Sequence, residues 1–291
     1  MSFDPKKLLA RAPIETRHEL TRSDTMLYAL GVGAGNSPDD LRFVYEENLV
    51  ALPTMAVVMA YPGFIWRNPE LGVNWKKLLH GEQLVELFAP LPVEGALHSE
   101  TSFESVHDKG ADKGAIVYST RRLFDDNGTH LATDTRSSFL RGNGGCGTPD
   151  SNKSPAPKPH AMPDGEPDII VDLPTASNQA MIYRLSGDYN PLHIDPEVAR
   201  SAGFDQPVLH GLCTYGVVGR ALLAAVAANE PARIKKLNVR FSAPVFPGET
   251  IRTQIWRGNG AGRSTGYAFR AHVVERDLMV INNGYCEVSR G

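Results

Sequence analysis

The chain repeats one pattern in two halves, which restricts it to folds built from two similar units. Residues 26–30, Met-Leu-Tyr-Ala-Leu, match residues 181–185, Met-Ile-Tyr-Arg-Leu, and the Ala-Pro pair at 89–90 recurs at 243–244. Each half carries an apolar, helix-like run, at 52–60 and at 212–228, and then alternating segments typical of strands, such as 115–123 and 265–274. Short matches of this kind can also arise by chance. The pattern predicts two α+β units, each with one helix packed on antiparallel strands.

A segment rich in proline, glycine and serine separates the two halves. It runs from residue 142 to residue 165 and is typical of a surface connection. We therefore divide the chain into an N-terminal repeat at 1–141, a linker at 142–165 and a C-terminal repeat at 166–291.

Composition excludes several classes of function. Apolar residues make up 42% of the chain and charged residues 22%, as in ordinary globular proteins. The net charge of −3 gives no reason to expect nucleic acid or a membrane surface as a partner. The apolar runs are too short to span a bilayer, and the N-terminal residues lack the apolar core of a secretory signal.

The cysteines and glycines narrow the cofactor classes. Cys146, Cys213 and Cys286 are widely spaced and form no Cys-x-x-Cys pair, which argues against a disulfide framework and a thiolate metal site. We therefore expect a reducing compartment, the cytosol. No Gly-x-Gly-x-x-Gly pattern follows a strand, so we expect no nicotinamide-binding domain, and no cofactor.

The segment Ser-Gly-Asp-Tyr-Asn-Pro-Leu-His at 186–193 places a carboxylate and an imidazole five residues apart across a turn. Pro191 fixes its own φ and pushes Asn190 out of the α region, so a helix cannot continue there. Gly187 allows an unusual backbone angle just before Asp188. A rigid turn of this kind can direct Asp188 and His193 at one point, as proton-transfer chemistry requires.

Three other interpretations of this segment exist. Asp188 can simply cap a turn, because Asp-x-Asn-Pro is a common turn composition. A metal held by Asp188, His193, His210 and Asp195 fits no zinc spacing. A nucleophilic Ser186 lacks the Gly-x-Ser-x-Gly elbow.

The stretch around the turn resembles the hydratase 2 motif of the (R)-specific enoyl-CoA hydratases, the MaoC-like group. The shared pattern is Tyr-Arg-Leu-Ser-Gly-Asp-x-Asn-Pro-Leu-His at 183–193, followed by Leu-His-Gly at 209–211. Residues 28–33, 79–83 and 108–110 are also typical of the hydratase 2 domain of peroxisomal multifunctional enzymes, so the resemblance covers nearly the whole chain.

The resemblance implies a double hot-dog: two fused hot-dog repeats with sheets joined side by side, each sheet wrapping a long helix. In the repeat, Asp188 falls opposite Gly33 and His193 falls opposite Pro38. The first repeat therefore lacks the acid–base pair, and we expect one active site per chain. The family uses this non-catalytic half to admit the acyl tail of the substrate.

The implied reaction is the syn addition of water to a trans-2-enoyl-CoA, giving the (3R)-3-hydroxyacyl-CoA, in fatty-acid or related metabolism. Asp188 and His193 would hold the water, with His193 as base toward it and Asp188 delivering the proton to C2. Two coupled groups can share these roles. Asn190 would orient the water or the imidazole, and the Gly211 N–H, at a helix start, would stabilise the enolate-like thioester oxygen.

The resemblance assigns contacts with acyl-CoA to seven further residues: His80, Gly81, Lys109, Tyr189, Pro191, Leu192 and Phe241. On composition alone, Lys109 is a solvated turn residue and Phe241 a core residue. His210 is expected to shape the turn beside Gly211 without taking part in catalysis. Two alternatives stay open: a hot-dog thioesterase, which would use a carboxylate on the central helix, and a hydratase for a branched or dicarboxylic acyl-CoA. We expect a homodimer.

Overall fold

Ten antiparallel strands form one sheet in the computed structural model, which describes residues 2–153, 155–261 and 263–290. In chain order they are β1 (Ile14–Leu20), β2 (Leu78–Leu87), β3 (Gly95–Asp108), β4 (Ala115–Asp125), β5 (His130–Leu140), β6 (Ile169–Pro174), β7 (Ile234–Phe241), β8 (Thr250–Ala261), β9 (Ser264–Val273) and β10 (Leu278–Ser289). Their order across the sheet is β1-β3-β4-β5-β2-β7-β10-β9-β8-β6.

The two halves of the sheet have the same topology. Outward from the centre, the first half runs β2-β5-β4-β3-β1 and the second runs β7-β10-β9-β8-β6. The halves join where β2 pairs with β7, from Glu82 opposite Arg240 to Glu86 opposite Lys236. The predicted α+β double hot-dog with side-by-side sheets is therefore confirmed. The described part of 142–165 contains no helix or strand, and the domain boundaries stay a prediction.

Among the described residues, six α-helices accompany the sheet: α1 (Pro5–Leu9), α2 (Arg22–Gly31), α3 (Leu41–Val44), α4 (Gln179–Tyr183), α5 (Pro196–Ser201) and α6 (Gly211–Val226). The longest is α6, with 16 residues, and it begins at Gly211 as the sequence predicts. Within the described ranges, no helix combines the length and apolarity needed to cross a membrane.

Helix α6 packs in the core and contacts both halves of the chain. Its buried face includes Tyr215, Val218 and Leu222. A Cβ atom on Gly216 would lie 2.3 Å from Val32, and one on Gly219 would lie 2.4 Å from Thr54. Glycine at these two positions therefore lets α6 approach the first repeat closely enough to form one continuous core.

The long helix predicted in the first half is absent. Residues 52–60 form only a short 3-10 helix, Pro53–Val57. The buried Arg121 side chain donates hydrogen bonds to the carbonyl oxygens of Ala56, at 2.7 Å, and Met59, and Ala60 adopts a left-handed φ of 46°. These carbonyl groups bind a side chain instead of helix N–H groups, so the apolar run folds as a compact loop under the sheet.

Candidate active site

The turn that carries Asp188 is built from a series of short elements. Helix α4 leads into a 3-10 turn at Arg184–Ser186, and Gly187 then reverses the chain with a φ of 112°. Asn190 caps a second 3-10 turn, Pro191–His193, because its Oδ1 accepts a hydrogen bond from the Leu192 N–H at 3.2 Å. The Asn190 backbone N–H donates to Oδ1 of Asp188, also at 3.2 Å. The backbone N–H of Asn190 thus binds the Asp188 carboxylate, while the side-chain oxygen of Asn190 stabilises the turn.

His193 is held in one tautomer by a backbone contact. Its Nδ1 lies 2.8 Å from the carbonyl oxygen of Val208, and a carbonyl can only accept, so Nδ1 carries the proton. In the neutral ring, Nε2 then keeps its lone pair. Burial lowers the pKa of His193 below its ordinary value of 6.5, which favours this neutral form. The ring is therefore prepared to accept a proton. Nothing in the sequence pointed to Val208, because the contact uses its backbone.

His210 lies against both residues. Its ring stacks on that of His193, with centroids 3.7 Å apart and planes at 26°. Its Nε2 donates to the backbone carbonyl of Asp188 at 3.1 Å. Burial and the neighbouring His193 lower the pKa of His210, so this ring is neutral as well.

An oxygen of Asp188 and ring nitrogens of His193 and His210 lie within 4.8 Å of one another, a spacing that would allow a shared metal ion. The hydrogen bonds and the stacking oppose this. His193 Nδ1 and His210 Nε2 are each bound to a backbone carbonyl oxygen, and the two rings stack face to face instead of converging on one point. A zinc ion would need each ring to direct a nitrogen at it from about 2.0–2.1 Å. The cluster fits a water molecule between Asp188 and His193 better than it fits a metal ion.

His80, Gly81, Gly211 and Phe241 come together beside the turn, from strands β2 and β7 and the start of α6. The rings of His80 and Phe241 lie 5.0 Å apart, and a Cβ on Gly211 would lie 3.5 Å from the Phe241 ring. Gly81 forms a bulge in β2, where a Cβ would lie 2.7 Å from Ser137. His80 Nε2 donates to the Glu82 carbonyl at 3.0 Å, and burial lowers the pKa of His80 to about 4.

The remaining predicted contact residues divide between the turn itself and a separate loop. Tyr189 is exposed, with the Arg184 guanidinium 4.9 Å from its ring, and Pro191 and Leu192 form the half-buried 3-10 turn. Lys109 is exposed at the turn between β3 and β4, three strands from β2. Three strand spacings amount to about 14 Å. The structure therefore groups six of the seven near Asp188 and places Lys109 apart from them.

A cavity of about 290 Å³ extends from the turn into the first repeat. Ser186 and Gly187 lie at one end, and its apolar wall comprises Leu27, Met55, Val58, Ala60 and Leu185. At roughly 30 Å³ per water-sized group, the cavity has room for about ten such groups. Gly33, which the repeat places opposite Asp188, is not part of this wall. It lies beside Arg220, where a Cβ would be 3.2 Å from Nη1.

A buried ionic cluster under the sheet had no signal in the sequence. Asp134 accepts hydrogen bonds from Arg121 at 2.7 Å, from Arg136, and from Gln83 at 2.5 Å. Asp134 and Arg121 are each 2% exposed. The Arg136 guanidinium lies 4.9 Å from the Tyr61 ring, which also lines the cavity. The cluster thus connects β4 and β5 to the loop that forms the cavity wall.

Comparisons with known proteins identify similar domains in both halves of the chain. Residues 159–277 match the MaoC like domain, and residues 18–142 match the MFE-2 hydratase 2 N-terminal domain. The chain is 43% identical to 3-hydroxyacyl-thioester dehydratase Y of Mycobacterium tuberculosis, with all of both chains covered. It is 39% identical to peroxisomal multifunctional enzyme type 2 of Mus musculus, covering 92% of this chain and 36% of that protein. The crystal structure of a MaoC-like dehydratase from Phytophthora capsici superposes with a TM-score of 0.86, at 36% identity over 98% of this chain and 99% of that one.

Proposed function

Because the chain belongs to the MaoC-like dehydratase and hydratase 2 family, we propose that it hydrates trans-2-enoyl-CoA to (3R)-3-hydroxyacyl-CoA, and catalyses the reverse dehydration. The observation that carries the proposal is the pair formed by Asp188 and His193: a carboxylate oxygen and a ring nitrogen lie within 4.8 Å of each other, and Nε2 of His193 has no bond to Val208. One water molecule can contact both groups at this spacing.

The proposed cycle balances its protons between these two residues. His193 accepts a proton through Nε2 as the water oxygen bonds to C3. That proton passes from His193 to the carboxylate of Asp188 through hydrogen-bonded water, because their atoms lie within 4.8 Å. Asp188 then delivers it to C2, so one proton leaves the water, one reaches C2, and both side chains return to their starting state. The two groups act as one coupled pair.

We assign the thioester oxygen to the backbone N–H of Gly211. Its position at the start of α6 gives it no backbone acceptor among the described residues, and the helix dipole favours negative charge there. An N–H directed at the oxygen that becomes enolate-like stabilises the transition state. The rings of His80 and Phe241 form the wall beside this N–H.

We assign the acyl tail to the 290 Å³ cavity of the first repeat. Its apolar wall begins beside the turn at 186–193, and Thr16, Arg17, His18 and Asp24 also line the cavity. Burial of methylene groups against the apolar wall favours binding by about 0.8 kcal/mol each. Residues 52–60 form a loop where the second half has a long helix, and this loop supplies Met55, Val58 and Ala60 to the wall. Lys109, on the distant turn, is assigned to the phosphate end of CoA.

A thioesterase is disfavoured because its carboxylate would lie on the central helix. Helix α6 contains no Asp or Glu, and the carboxylate of this site lies on the preceding turn. The test is incubation with crotonyl-CoA and with decenoyl-CoA. We expect loss of absorbance of the conjugated thioester, the 3R product on chiral analysis, and no release of free thiol. Thiol release without hydration, or a 3S product, would contradict the proposal.

We also propose a homodimer in a reducing compartment, the cytosol. Met181, Leu185 and Tyr189 are exposed on α4 and the turn that follows it, and exposed apolar side chains of this kind support contact with a second copy. Cys146, Cys213 and Cys286 are free thiols. Light scattering after size-exclusion chromatography tests the dimer, and a monomeric mass would refute it.

A further inference from the structure

His210 occupies the space between the two catalytic side chains and the protein core. Its side chain is 1% exposed. One face of its ring stacks on His193 at 3.7 Å, and the Tyr183 ring lies 5.0 Å away. Its Nε2 contacts the backbone carbonyl of Asp188 at 3.1 Å. One residue thus contacts both members of the pair that the proposed reaction requires.

The hydrogen bonds fix His210 in a single state. The Asp188 carbonyl can only accept, so Nε2 carries the proton. Nδ1 is buried and has no hydrogen-bond partner among the described residues. Rotation of the ring by 180° would place a C–H group against the Asp188 carbonyl and lose this bond. His193 has the opposite tautomer, with its proton on Nδ1.

Asp188 and His193 need such support because both lie on short elements. Asp188 follows a glycine with a φ of 112°, and His193 ends a 3-10 turn of three residues. His210, in contrast, directly precedes the 16-residue helix α6, which packs in the core. Its contacts therefore connect the catalytic turn to the most rigid element nearby.

We propose that His210 is a positioning residue that holds Asp188 and His193 at the separation needed to bind one water, an inference that rests on the proposed hydration activity. His210 transfers no proton itself. Its N–H is committed to a backbone carbonyl, and its ring lies parallel to His193 instead of pointing at the water. It acts on the reaction only through the geometry of its two neighbours.

Three substitutions separate the two contacts. His210→Phe keeps a ring for stacking but loses the donor, His210→Gln keeps a donor but loses the ring, and His210→Ala loses both. Since small misplacements of catalytic groups cost on the order of 100-fold, we expect kcat for crotonyl-CoA to fall about 100-fold in His210→Ala and about 10-fold in the other two. KM should change little, because no substrate contact is lost.

The matched control is His98→Ala. His98 also stacks on an aromatic ring, that of Phe124 at 5.1 Å, but it lies on β3, outside the site. Its kcat should equal that of the wild type. If His210→Ala keeps a normal kcat while its melting temperature falls, the role is structural and the proposal fails. If His210→Phe and His210→Gln both lose as much as His193→Ala, His210 takes part in proton transfer and the proposal also fails.

A second measurement uses the wild-type protein and needs no activity. Nitrogen-15 NMR of labelled histidines should show His193 protonated at Nδ1 and His210 protonated at Nε2. In the His210 variants that fold, His193 should keep its tautomer, because the Val208 carbonyl fixes it, while its ring signals should shift or broaden where the stacking is lost. The reverse tautomers in the wild type would overturn the positioning role even if hydration is confirmed. Absent hydration with the expected tautomers would refute the proposed function instead.

Discussion

Replacement of Asp134 by Asn tests the buried ionic cluster that supports the cavity. The substitution keeps the size of the side chain and removes the negative charge between Arg121 and Arg136, leaving a buried and a partly buried guanidinium group without this counter-charge. The two arginines and the Gln83 amide lower the pKa of Asp134 from 3.8 to about 2, against the effect of burial. This depression of the pKa favours the charged form by about 2–3 kcal/mol. Breaking buried ion pairs costs about 3–5 kcal/mol in general.

We therefore expect Asp134→Asn to lower the free energy of unfolding by about 3 kcal/mol, measured by urea denaturation at pH 7. Because the folded-state pKa is depressed, this contribution is present above about pH 4 and is lost as the pH falls toward 2. The control is Asp172→Asn, which breaks the exposed pair between Asp172 and Arg252 and should cost less than about 1 kcal/mol. Equal losses in the two variants would refute the reasoning.

Three further outcomes follow from the site and its packing. Since burial lowers the pKa of His193 below 6.5, kcat/KM should stay constant as the pH is lowered through 6.5 and should fall only in more acidic solution. A fall centred at or above pH 6.5 would count against His193 as the buried base. Val58→Phe should fill part of the cavity, reducing kcat/KM for decenoyl-CoA about tenfold or more and leaving kcat/KM for crotonyl-CoA unchanged. The control Val274→Phe, at an exposed turn, should leave kcat/KM for both substrates unchanged. Equal losses on both substrates in Val58→Phe would place the acyl tail elsewhere. Gly219→Ala should lower the free energy of unfolding by about 1–3 kcal/mol, because its Cβ would lie 2.4 Å from Thr54; unchanged stability in urea would show that α6 is not so tightly packed.

The sequence predicted the backbone of the turn at 186–193 well because local chemistry determines it. Gly187 and Asn190-Pro191 force a reversal whatever surrounds them, and the structure shows a left-handed Gly187 followed by a capped 3-10 turn. The start of α6 at Gly211 was likewise predictable, since a long apolar run follows it. The strands at 115–123 and 265–274 followed from their alternation.

The first-repeat helix was predicted wrongly because a short apolar run does not distinguish a helix from a buried loop. The deciding contact comes from Arg121, about 60 residues along the chain, which binds carbonyl groups of that loop. The Asp134 cluster and the stacking of His210 on His193 were missed for a similar reason. Both depend on side chains brought together by strand pairing or by the packing of α6, and no local pattern marks them.

The central claim is that Asp188 and His193 act together on one water molecule, and a double-mutant cycle tests it most directly. Asp188→Asn and His193→Ala should each lower kcat for crotonyl-CoA by about 10²–10⁴-fold with melting temperatures close to that of the wild type. The double variant should be scarcely slower than either single variant, because residues that act as a unit do not add their losses. Additive losses in log kcat would show that the two residues act on separate steps and would contradict the shared water.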